Sequence, residues 1–306
     1  MCILHAIGRT PLVELANLGP KPPGVRIYGK LEGNNPGGSV KDRTAAWMIQ
    51  AAEQSGELVP GRTILEATSG NTGIALAMIA AAKGYRVKLC MAAGASVERR
   101  RVLEALGAEV VLTPPHEGTD GAIRQAHRLL AEHPDRYYMP NQFDNEANVL
   151  AHYQSTGPEI FAQTEGRVDV FVAGMGTTGT LMGVGRALKE RKPGVRIAGI
   201  EPPMGHRIQG LKNMQEAIRP KIYDPAMLDE KIAVMDHEAF ETARRLAIRE
   251  GVFVGMSSGA AVAGAVRVAR QMTRGTIVVL LADRGDRYLS TDLFQAGAAR
   301  RVSKVA

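Results

Sequence analysis

Cysteine is almost absent from this sequence, which has only Cys2 and Cys90 among its 306 residues. Two cysteines cannot form the cross-links that stabilise a disulfide-rich secreted protein, so we expect a reducing compartment, the cytoplasm. Cys2 and His5 lie close together near the N-terminus, but no second pair of candidate ligands accompanies them. The sequence therefore predicts no metal site.

Long apolar runs are also missing, and no stretch approaches the roughly 18 residues that a membrane-spanning helix needs. The N-terminus lacks the basic segment followed by an apolar one that marks a secretory signal. Aromatic residues make up only 5% of the chain, and no basic patch interleaved with aromatics accompanies its net charge of +7. We therefore expect neither membrane nor nucleic acid as a partner, and the charge suits a protein that handles small anions.

Short runs of β-branched residues alternate with longer helical patterns over most of the chain. Strands are predicted at residues 63–67, 86–90, 108–112, 168–173, 195–200 and 276–281. Helices are predicted at residues 72–83, 96–106, 120–132, 180–190, 238–249 and 260–272. This alternation is typical of βαβ units with a mainly parallel sheet, and its restart after Pro140 predicts two α/β units with a cleft between them. Residues 202–228, rich in Pro, Gly and Met, are predicted to form a substrate-side loop.

A turn-rich segment, residues 34–40, leads to a predicted helix that starts near Lys41. The positive end of the helix dipole favours the neutral form of a lysine amine at that place. A neutral amine is the form that attacks a carbonyl group to make an imine. Because most lysines that follow a loop are surface residues, position alone makes Lys41 a candidate and does not decide its role.

A loop of small and polar residues, Thr68-Ser69-Gly70-Asn71-Thr72-Gly73, joins a predicted strand to a predicted helix. Its hydroxyls, carboxamide and backbone N–H groups lie at a helix N-terminus, where anions bind. Ser and Thr also cap helices, but five consecutive small or polar residues exceed what a cap requires. Since open α/β sheets bind ligands at the carboxyl ends of their strands, we predict an anion-binding loop here.

Residues 174–180 (Gly-Met-Gly-Thr-Thr-Gly-Thr) form a second loop between a strand and a helix. Glycines let the backbone approach a phosphate closely, and N–H groups and hydroxyls then bind it. The segment also matches the GxGxxG pattern, with Glu201 about 20 residues later, so a dinucleotide-dependent oxidoreductase is the alternative interpretation. Against it, that pattern usually opens the first βαβ unit, whereas three predicted strands come before it here, and the threonines suit a single phosphate better.

Together with the segment 255–260 (Gly-Met-Ser-Ser-Gly-Ala), these three loops resemble those of the β-family (fold type II) pyridoxal-phosphate enzymes, and specifically of the cysteine synthases. The resemblance runs from residues 7–13 to residues 287–291. It implies two three-layer α/β domains with mainly parallel sheets and an active site in the interdomain cleft. The smaller, mobile, substrate-side domain would span about residues 35–145, and the larger, cofactor-phosphate domain residues 1–34 and 146–306.

The resemblance also implies roles for individual residues. Lys41 matches the lysine that forms a Schiff base with pyridoxal 5'-phosphate and moves the substrate α-proton. Asn71 matches the residue that bonds the cofactor's phenolic oxygen, and Ser257 the partner of its pyridine nitrogen. The phosphate loop would be Gly176, Thr177, Thr178, Gly179 and Thr180, and the substrate-carboxylate site Thr68, Ser69, Asn71, Thr72 and Gln142.

The implied reaction is a β-replacement that makes L-cysteine from O-acetyl-L-serine and sulfide through an α-aminoacrylate intermediate. A serine beside the pyridine nitrogen cannot keep it protonated as an aspartate would. Elimination of a good leaving group is therefore favoured over transamination. The family also implies a homodimer.

The choice of substrate and sulfur donor stays open at this stage. Residues 151–159 and 283–288 resemble the B type of cysteine synthase, which tolerates sulfur donors such as thiosulfate. This resemblance makes serine acetyltransferase a doubtful partner. Relatives that accept anionic donors or O-phosphoserine carry arginine near residues 212–214, where this chain has Lys-Asn-Met. Lys212 is therefore either an anion-binding residue, as a point charge, or a solvated loop lysine.

Overall fold

The computed structural model describes residues 2–19, 21–68, 70–215 and 218–294. The strands found in this part of the chain are β1 (Leu12–Glu14), β2 (Gly24–Leu31), β3 (Thr63–Ala67), β4 (Arg86–Ala92), β5 (Glu109–Thr113), β6 (Tyr137–Tyr138), β7 (Val168–Gly174), β8 (Arg196–Glu201), β9 (Glu230–Ala233) and β10 (Arg274–Leu281). The α-helices are α1 (Lys41–Ser55), α2 (Asn71–Lys83), α3 (Val97–Ala105), α4 (Gly118–Glu132), α5 (Glu146–Ala151), α6 (Gly157–Gln163), α7 (Gly179–Arg191), α8 (Asp236–Glu250) and α9 (Met256–Arg270).

The larger sheet has the strand order β1-β2-β10-β7-β8-β9. All its pairings are parallel except that of the edge strand β1, which runs antiparallel to β2. Side chains of β10 alternate between the faces, because Ile277 and Val279 pack in the cluster that contains α8 and α9 residues, and Val278 packs with those of α7. The sheet is thus buried on both faces, as the apolar strands predicted.

The smaller sheet has the order β5-β4-β3-β6 and is parallel throughout. One face packs on residues of α1, α2 and α3, including Ile49, Leu76 and Leu103. The other face packs on α4 through Ala122 and Ala126. Two three-layer α/β units are therefore present, and the smaller one lies within the segment that the sequence assigned to the mobile domain.

All of the helices and strands predicted from the sequence are present; β3 has the predicted ends, and the others have at least one end shifted by one to four residues. The largest shift is at α9, which begins at Met256 rather than at residue 260, so that Ser257 and Ser258 lie in its first turn. Strands β1, β2, β6 and β9 and helices α5 and α6 had no residue ranges in the sequence-based prediction. No helix in the described ranges is long and apolar enough to cross a membrane.

Candidate active site

The functional segments meet at the carboxyl ends of the strands of both sheets. A cleft of about 850 Å³ opens beside them. Thr68, Ser96, Gly210 and Met256 are among the residues that line it, whereas Lys41, Asn71, residues 176–180 and Ser257 are not. A β-bridge between Ser39 and Asp283 joins the lysine loop to the chain that leaves β10. The topology thus brings loops from distant parts of the sequence to one place, as expected for parallel sheets.

Lys41 is the first residue of α1, where the sequence placed it. The residue before it fixes the backbone to the larger sheet, because the Val40 N–H donates to the Ala282 carbonyl at 2.8 Å. Burial lowers the pKa of the Lys41 amine, and the Asp283 carboxylate opposes this shift. Lys41 Nζ has no hydrogen-bond partner among the described residues. The amine is therefore closer to its neutral, nucleophilic form than that of an exposed lysine.

The loop between β3 and α2 folds around the Thr68 hydroxyl. Thr68 Oγ1 accepts hydrogen bonds from the N–H groups of Gly70 at 3.0 Å and Gly73 at 3.2 Å. With both acceptor positions taken, the hydroxyl proton is available for an acceptor in the cleft. Ser69, the other hydroxyl predicted to bind a substrate carboxylate, lies outside the described residues.

Thr72 and Gln142 complete this side of the site. The Thr72 hydroxyl donates to Gln142 Oε1 at 2.7 Å, and Gln142 Nε2 donates to the Ala67 carbonyl at 3.0 Å. The amide of Gln142 keeps its second N–H proton for a ligand. The structure therefore groups three of the residues predicted to bind a carboxylate. Thr68 and Gln142 keep a side-chain proton for a ligand, whereas the Thr72 hydroxyl proton holds the Gln142 amide in place.

Asn71 begins α2 and extends toward the residues that follow β10. Its Nδ2 donates to Asp283 Oδ2 at 2.6 Å, and its Oδ1 accepts from Arg287 Nη1 at 2.5 Å. Tyr288 donates to the same Asp283 oxygen at 2.7 Å, whereas Asp283 Oδ1 is buried without a partner among the described residues. Asn71 thus lies beside the carboxylate that influences Lys41. Its bond to the cofactor's phenolic oxygen stays a prediction.

The predicted phosphate loop joins β7 to α7. Because α7 begins at Gly179, the N–H groups of its first turn have no acceptor within the helix and form an anion-binding end. Thr178 has a left-handed conformation, with φ of 68°. A Cβ atom on Gly176 would lie 2.6 Å from the Gly210 carbonyl oxygen, so a side chain there would displace the backbone. The loop geometry therefore requires glycine at Gly176. The donors it offers an anion are the N–H groups at the start of α7, since the Thr178 hydroxyl donates to the Thr177 carbonyl and the Thr180 hydroxyl contacts His152.

Asn148, a residue that the sequence did not indicate, links the phosphate loop to the substrate side. Its Nδ2 donates to Thr177 Oγ1 at 3.0 Å and to the Gln142 carbonyl at 2.8 Å. Its Oδ1 accepts from the hydroxyl of Thr44, one turn after Lys41, at 3.2 Å. One buried carboxamide thus contacts three functional segments that are far apart in the chain.

His152 lies in a short π-helix, His152–Thr156, and is completely buried. Its Nε2 is 3.2 Å from Thr180 Oγ1 and 3.3 Å from Thr44 Oγ1, and its Nδ1 is 2.9 Å from Thr156 Oγ1. Burial lowers the pKa of this imidazole well below its usual value, and the positive charges of Arg43 and Lys41 act in the same direction. His152 is therefore neutral at physiological pH and orients hydroxyls rather than supplying a proton.

Ser257 lies in the first turn of α9, on the other side of the same backbone segment that fixes Lys41. The neighbouring Ser258 accepts a hydrogen bond from the Ala282 N–H at 2.9 Å, while the Ala282 carbonyl binds Val40. Ser257 is nearly buried and faces Gly210, since a Cβ atom placed there would be 3.9 Å from its Oγ. The Ser257 hydroxyl is thus available for the ring-nitrogen role that the sequence predicted.

Lys212 is not a solvated loop lysine, which was one of its two interpretations. It is only 4% exposed, and its Nζ forms an ion pair with Asp120 Oδ1 at 2.8 Å. Its backbone N–H donates to the Met175 carbonyl, next to the phosphate loop, at 2.8 Å. Lys212 therefore borders the site with a charge that is already opposed by a carboxylate from the smaller unit.

The residues present fit pyridoxal phosphate. Lys41 supplies an amine for its aldehyde, and the first turn of α7 supplies backbone N–H groups for its phosphate. Ser257 offers a hydroxyl for the ring nitrogen. Asp283 Oδ1 is buried without a partner among the described residues, but it faces the start of α9, since a Cβ atom on Gly255 would clash with it, and Asp283 is not among the residues that line the cleft.

Comparison with known proteins agrees with this geometry. The profile of the family described as "Pyridoxal-phosphate dependent enzyme" matches residues 3–283. Cysteine synthase B of Salmonella typhimurium is 50% identical over 290 residues, which cover 95% of each chain.

Solved structures are similar over nearly the whole fold. The cysteine synthase of Entamoeba histolytica has a TM-score of 0.90 at 39% identity and covers 99% of this chain and 94% of its own. The O-acetylserine-dependent cystathionine β-synthase of Helicobacter pylori has a TM-score of 0.91 at 36% identity, over 96% and 99%. These matches favour pyridoxal phosphate over the dinucleotide interpretation of residues 174–180. The chain is therefore a member of the cysteine synthase family of fold type II pyridoxal-phosphate-dependent enzymes.

Proposed function

We propose that this enzyme makes L-cysteine from O-acetyl-L-serine and sulfide. The observation that carries the proposal is that Lys41 begins a helix linked to both binding segments, because Thr44, one turn later, contacts Asn148, which binds Thr177 of the phosphate loop and the Gln142 carbonyl. One segment suits an amino-acid carboxylate and the other a phosphate. The Helicobacter relative is an O-acetylserine-dependent enzyme, which supports the same amino-acid substrate here.

The chain's own residues can perform the steps of a β-replacement. Thr68 and Gln142, through side-chain protons, and Thr72, through its backbone N–H in the first turn of α2, would hold the substrate carboxylate and so orient the Cα–H bond. Lys41 Nζ would take the α-proton during elimination and return a proton after sulfur adds. Pyridoxal phosphate, when bound, supplies the electron sink at the α-carbon. Ser257 would hold its pyridine nitrogen through a hydroxyl, which favours elimination and replacement over transamination.

The ion pair of Lys212 favours the acetyl ester over the phosphate ester. A phosphate leaving group would have to compete with Asp120, whose carboxylate lies 2.8 Å from Lys212 Nζ. Both side chains are largely buried, so screening by solvent is weak and the competition is strong. O-Phosphoserine as amino-acid substrate and thiosulfate as sulfur donor are the alternatives that this pair disfavours.

Steady-state turnover by the purified holoenzyme tests the proposal. With sulfide as nucleophile, we expect kcat/KM for O-acetyl-L-serine to exceed that for O-phospho-L-serine by at least about tenfold, an order set by one buried charge contact. The protein should also show visible absorbance from its cofactor. Preference for O-phosphoserine would contradict the proposed substrate, and a colourless protein that binds NADH would contradict the whole assignment.

A pair of variants tests the part played by Lys212. Lys212→Ala should lower turnover of O-phosphoserine and thiosulfate several-fold and leave O-acetylserine with sulfide within about twofold. Asp120→Asn removes the opposing charge and should raise the rates with the anionic substrates. Lys221→Ala, at an exposed lysine that is 79% accessible and pairs with Asp144, is the matched control. If Lys212→Ala changed neither anionic substrate, Lys212 would have no role in their selection.

Three further expectations stay predictions: a homodimer, a cytoplasmic location, and a boundary of the mobile domain near residues 35 and 145. The B-type features also predict that serine acetyltransferase is not a partner. Size-exclusion chromatography with light scattering, alone and with that enzyme, measures both associations.

A further inference from the structure

Glu66 is a buried carboxylate directly behind the predicted carboxylate-binding loop. It is the next-to-last residue of β3 and only 2% exposed. Glu66 Oε1 accepts a hydrogen bond from the Ala67 N–H at 2.9 Å, and Oε2 accepts one from the Gln142 N–H at 3.1 Å. One side chain thus ties the end of β3 to a segment that lies 76 positions later in the chain.

The segment held by Glu66 contains one residue in the left-handed backbone region. Asn141, the residue before Gln142, has φ of 51°, in the left-handed region that residues with a side chain seldom occupy. The Gln142 carbonyl accepts from Asn148, so both polar backbone groups of Gln142 are bound by buried side chains. The direction of the Gln142 side-chain amide therefore depends on the Glu66 carboxylate and the Asn148 carboxamide, which fix the Gln142 backbone.

We propose that Glu66 is a positioning residue for substrate recognition, which sets the Gln142 amide and the β3–α2 loop in the geometry that binds an amino-acid carboxylate. This inference rests on the proposed function, which assigns Gln142 to the substrate carboxylate. Glu66 itself does not contact the substrate, since it acts through the N–H groups of Ala67 and Gln142.

The hydrogen-bond pattern favours the ionised form of Glu66. Both carboxylate oxygens accept N–H groups, and a protonated acid would present an O–H to one of these donors. Burial raises the pKa of Glu66 to about 7, and backbone N–H groups oppose that shift. Of the titratable groups on neighbouring strands, Tyr138 and Cys90 have raised pKa values and stay uncharged near pH 7. Glu66 therefore changes between the two forms near neutral pH.

Two pH dependences of opposite sign follow. Because the folded-state pKa of Glu66 is raised, its contribution to folding stability is complete below about pH 4.5 and is lost as pH rises through about 7. The ordering of the binding loop should have the opposite pH dependence, because it depends on the ionised carboxylate of Glu66. Affinity for an amino-acid carboxylate should thus increase as pH rises through about 7, while the same titration lowers stability.

Glu66→Gln tests the proposal in the holoenzyme. Glutamine keeps the shape but presents an NH₂ group to one backbone N–H, so it resembles the protonated acid. Isothermal titration with L-alanine, which has the substrate's amine and carboxylate but no leaving group, measures affinity without turnover. We expect about tenfold weaker binding than in the wild type at pH 8, and a difference that shrinks toward none at pH 6. KM for O-acetyl-L-serine should rise similarly, with kcat changed less than about twofold.

Glu109→Gln is the matched control, because Glu109 lies on β5 of the same sheet with a side chain 60% accessible. It should bind L-alanine as the wild type does at every pH. A Glu66→Gln protein that binds L-alanine as tightly as the wild type, or more tightly, would overturn the proposal. Tighter binding would show that Glu66 acts only by charge repulsion. If Glu66→Gln bound L-alanine more weakly by the same factor at every pH, titration of Glu66 would not be what controls the affinity.

A measurement on the wild type covers the case in which Glu66→Gln does not fold or loses its cofactor. The ratio of affinities for L-alanine and L-alaninol, which lacks the carboxylate, should increase about tenfold as pH rises from 6 to 8. A constant ratio would refute the inference. These binding titrations do not depend on catalysis. An enzyme that fails to turn over O-acetylserine would contradict the proposed substrate, whereas the titrations would still test the role of Glu66.

Discussion

Lys41→Ala should reduce the rate of cysteine synthesis by about 10³-fold or more. Removing the amine deletes both the group that would hold the cofactor covalently and the base for the α-proton, and each contributes orders of magnitude. Turnover of O-acetyl-L-serine with sulfide measures the loss. The visible spectrum should change as well, because the amine that binds the cofactor aldehyde is gone.

The controls for Lys41 separate chemistry from folding. Lys41→Ala removes a buried amine that has no partner among the described residues, so the free energy of unfolding should fall little or increase. Lys83→Ala removes a lysine of α2 that pairs with Glu53 near the surface, and should leave turnover unchanged. Turnover of Lys41→Ala within tenfold of the wild type would remove this residue from the proposed mechanism.

Arg43→Met should lower the free energy of unfolding by about 3–5 kcal/mol, the usual cost of leaving a buried charge without its partner. Arg43 is 1% exposed and lies between two carboxylates, with Nε 2.7 Å from Glu32 Oε2 and Nη1 2.7 Å from Glu159 Oε1. Lys30 alone would then balance both acids, since its Nζ is 2.7 Å from Glu159. Urea unfolding at pH 7 measures the change.

Lowering the pH should reduce the difference in the free energy of unfolding between Arg43→Met and the wild type. Arg43 and Lys30 lower the pKa of Glu159 to about 2, so its contribution is present above about pH 4.5 and is lost as pH falls toward 2. Arg186→Met provides the matched control, because Arg186 pairs with Glu190 on the surface of α7, with side chains about half exposed. Arg186→Met should lower the free energy of unfolding by less than about 0.5 kcal/mol. Equal losses in the two variants would contradict the importance of the buried network.

The positions of the main loops could be predicted from the sequence because they depend on local patterns. The turn-rich segment before Lys41 marks the start of a helix, and the glycines of residues 174–180 mark a strand-to-helix loop; the fold confirms both. Parallel sheets bring such loops to one edge, so the cleft followed from the alternation of strands and helices. The start of α9 was placed four residues late, because Ser257 and Ser258 were taken for the loop before the helix.

Glu66, Asn148 and Arg43 were not predicted, since their roles depend on partners distant in sequence. Glu66 reads as an isolated polar residue in a buried strand, and its partner Gln142 is 76 positions away. Arg43 binds Glu159, 116 positions away. A single sequence has no local signal for such pairs. A charged residue within an apolar strand is the one hint that was present, because an isolated charge is seldom buried without a partner.

Lys41 illustrates which properties of a residue the sequence determines and which only the tertiary structure decides. The sequence determined that a lysine starts a helix among donor-rich loops, and the family resemblance supplied its chemistry. Only the packed structure decided the direction in which its pKa shifts, because burial lowers the pKa of the amine more than the Asp283 carboxylate raises it. It also decided that Lys212 is paired with Asp120 and that Glu66 is positioned behind Gln142. Local patterns fix which groups the chain can offer, whereas desolvation and contacts between distant segments fix their charge and direction.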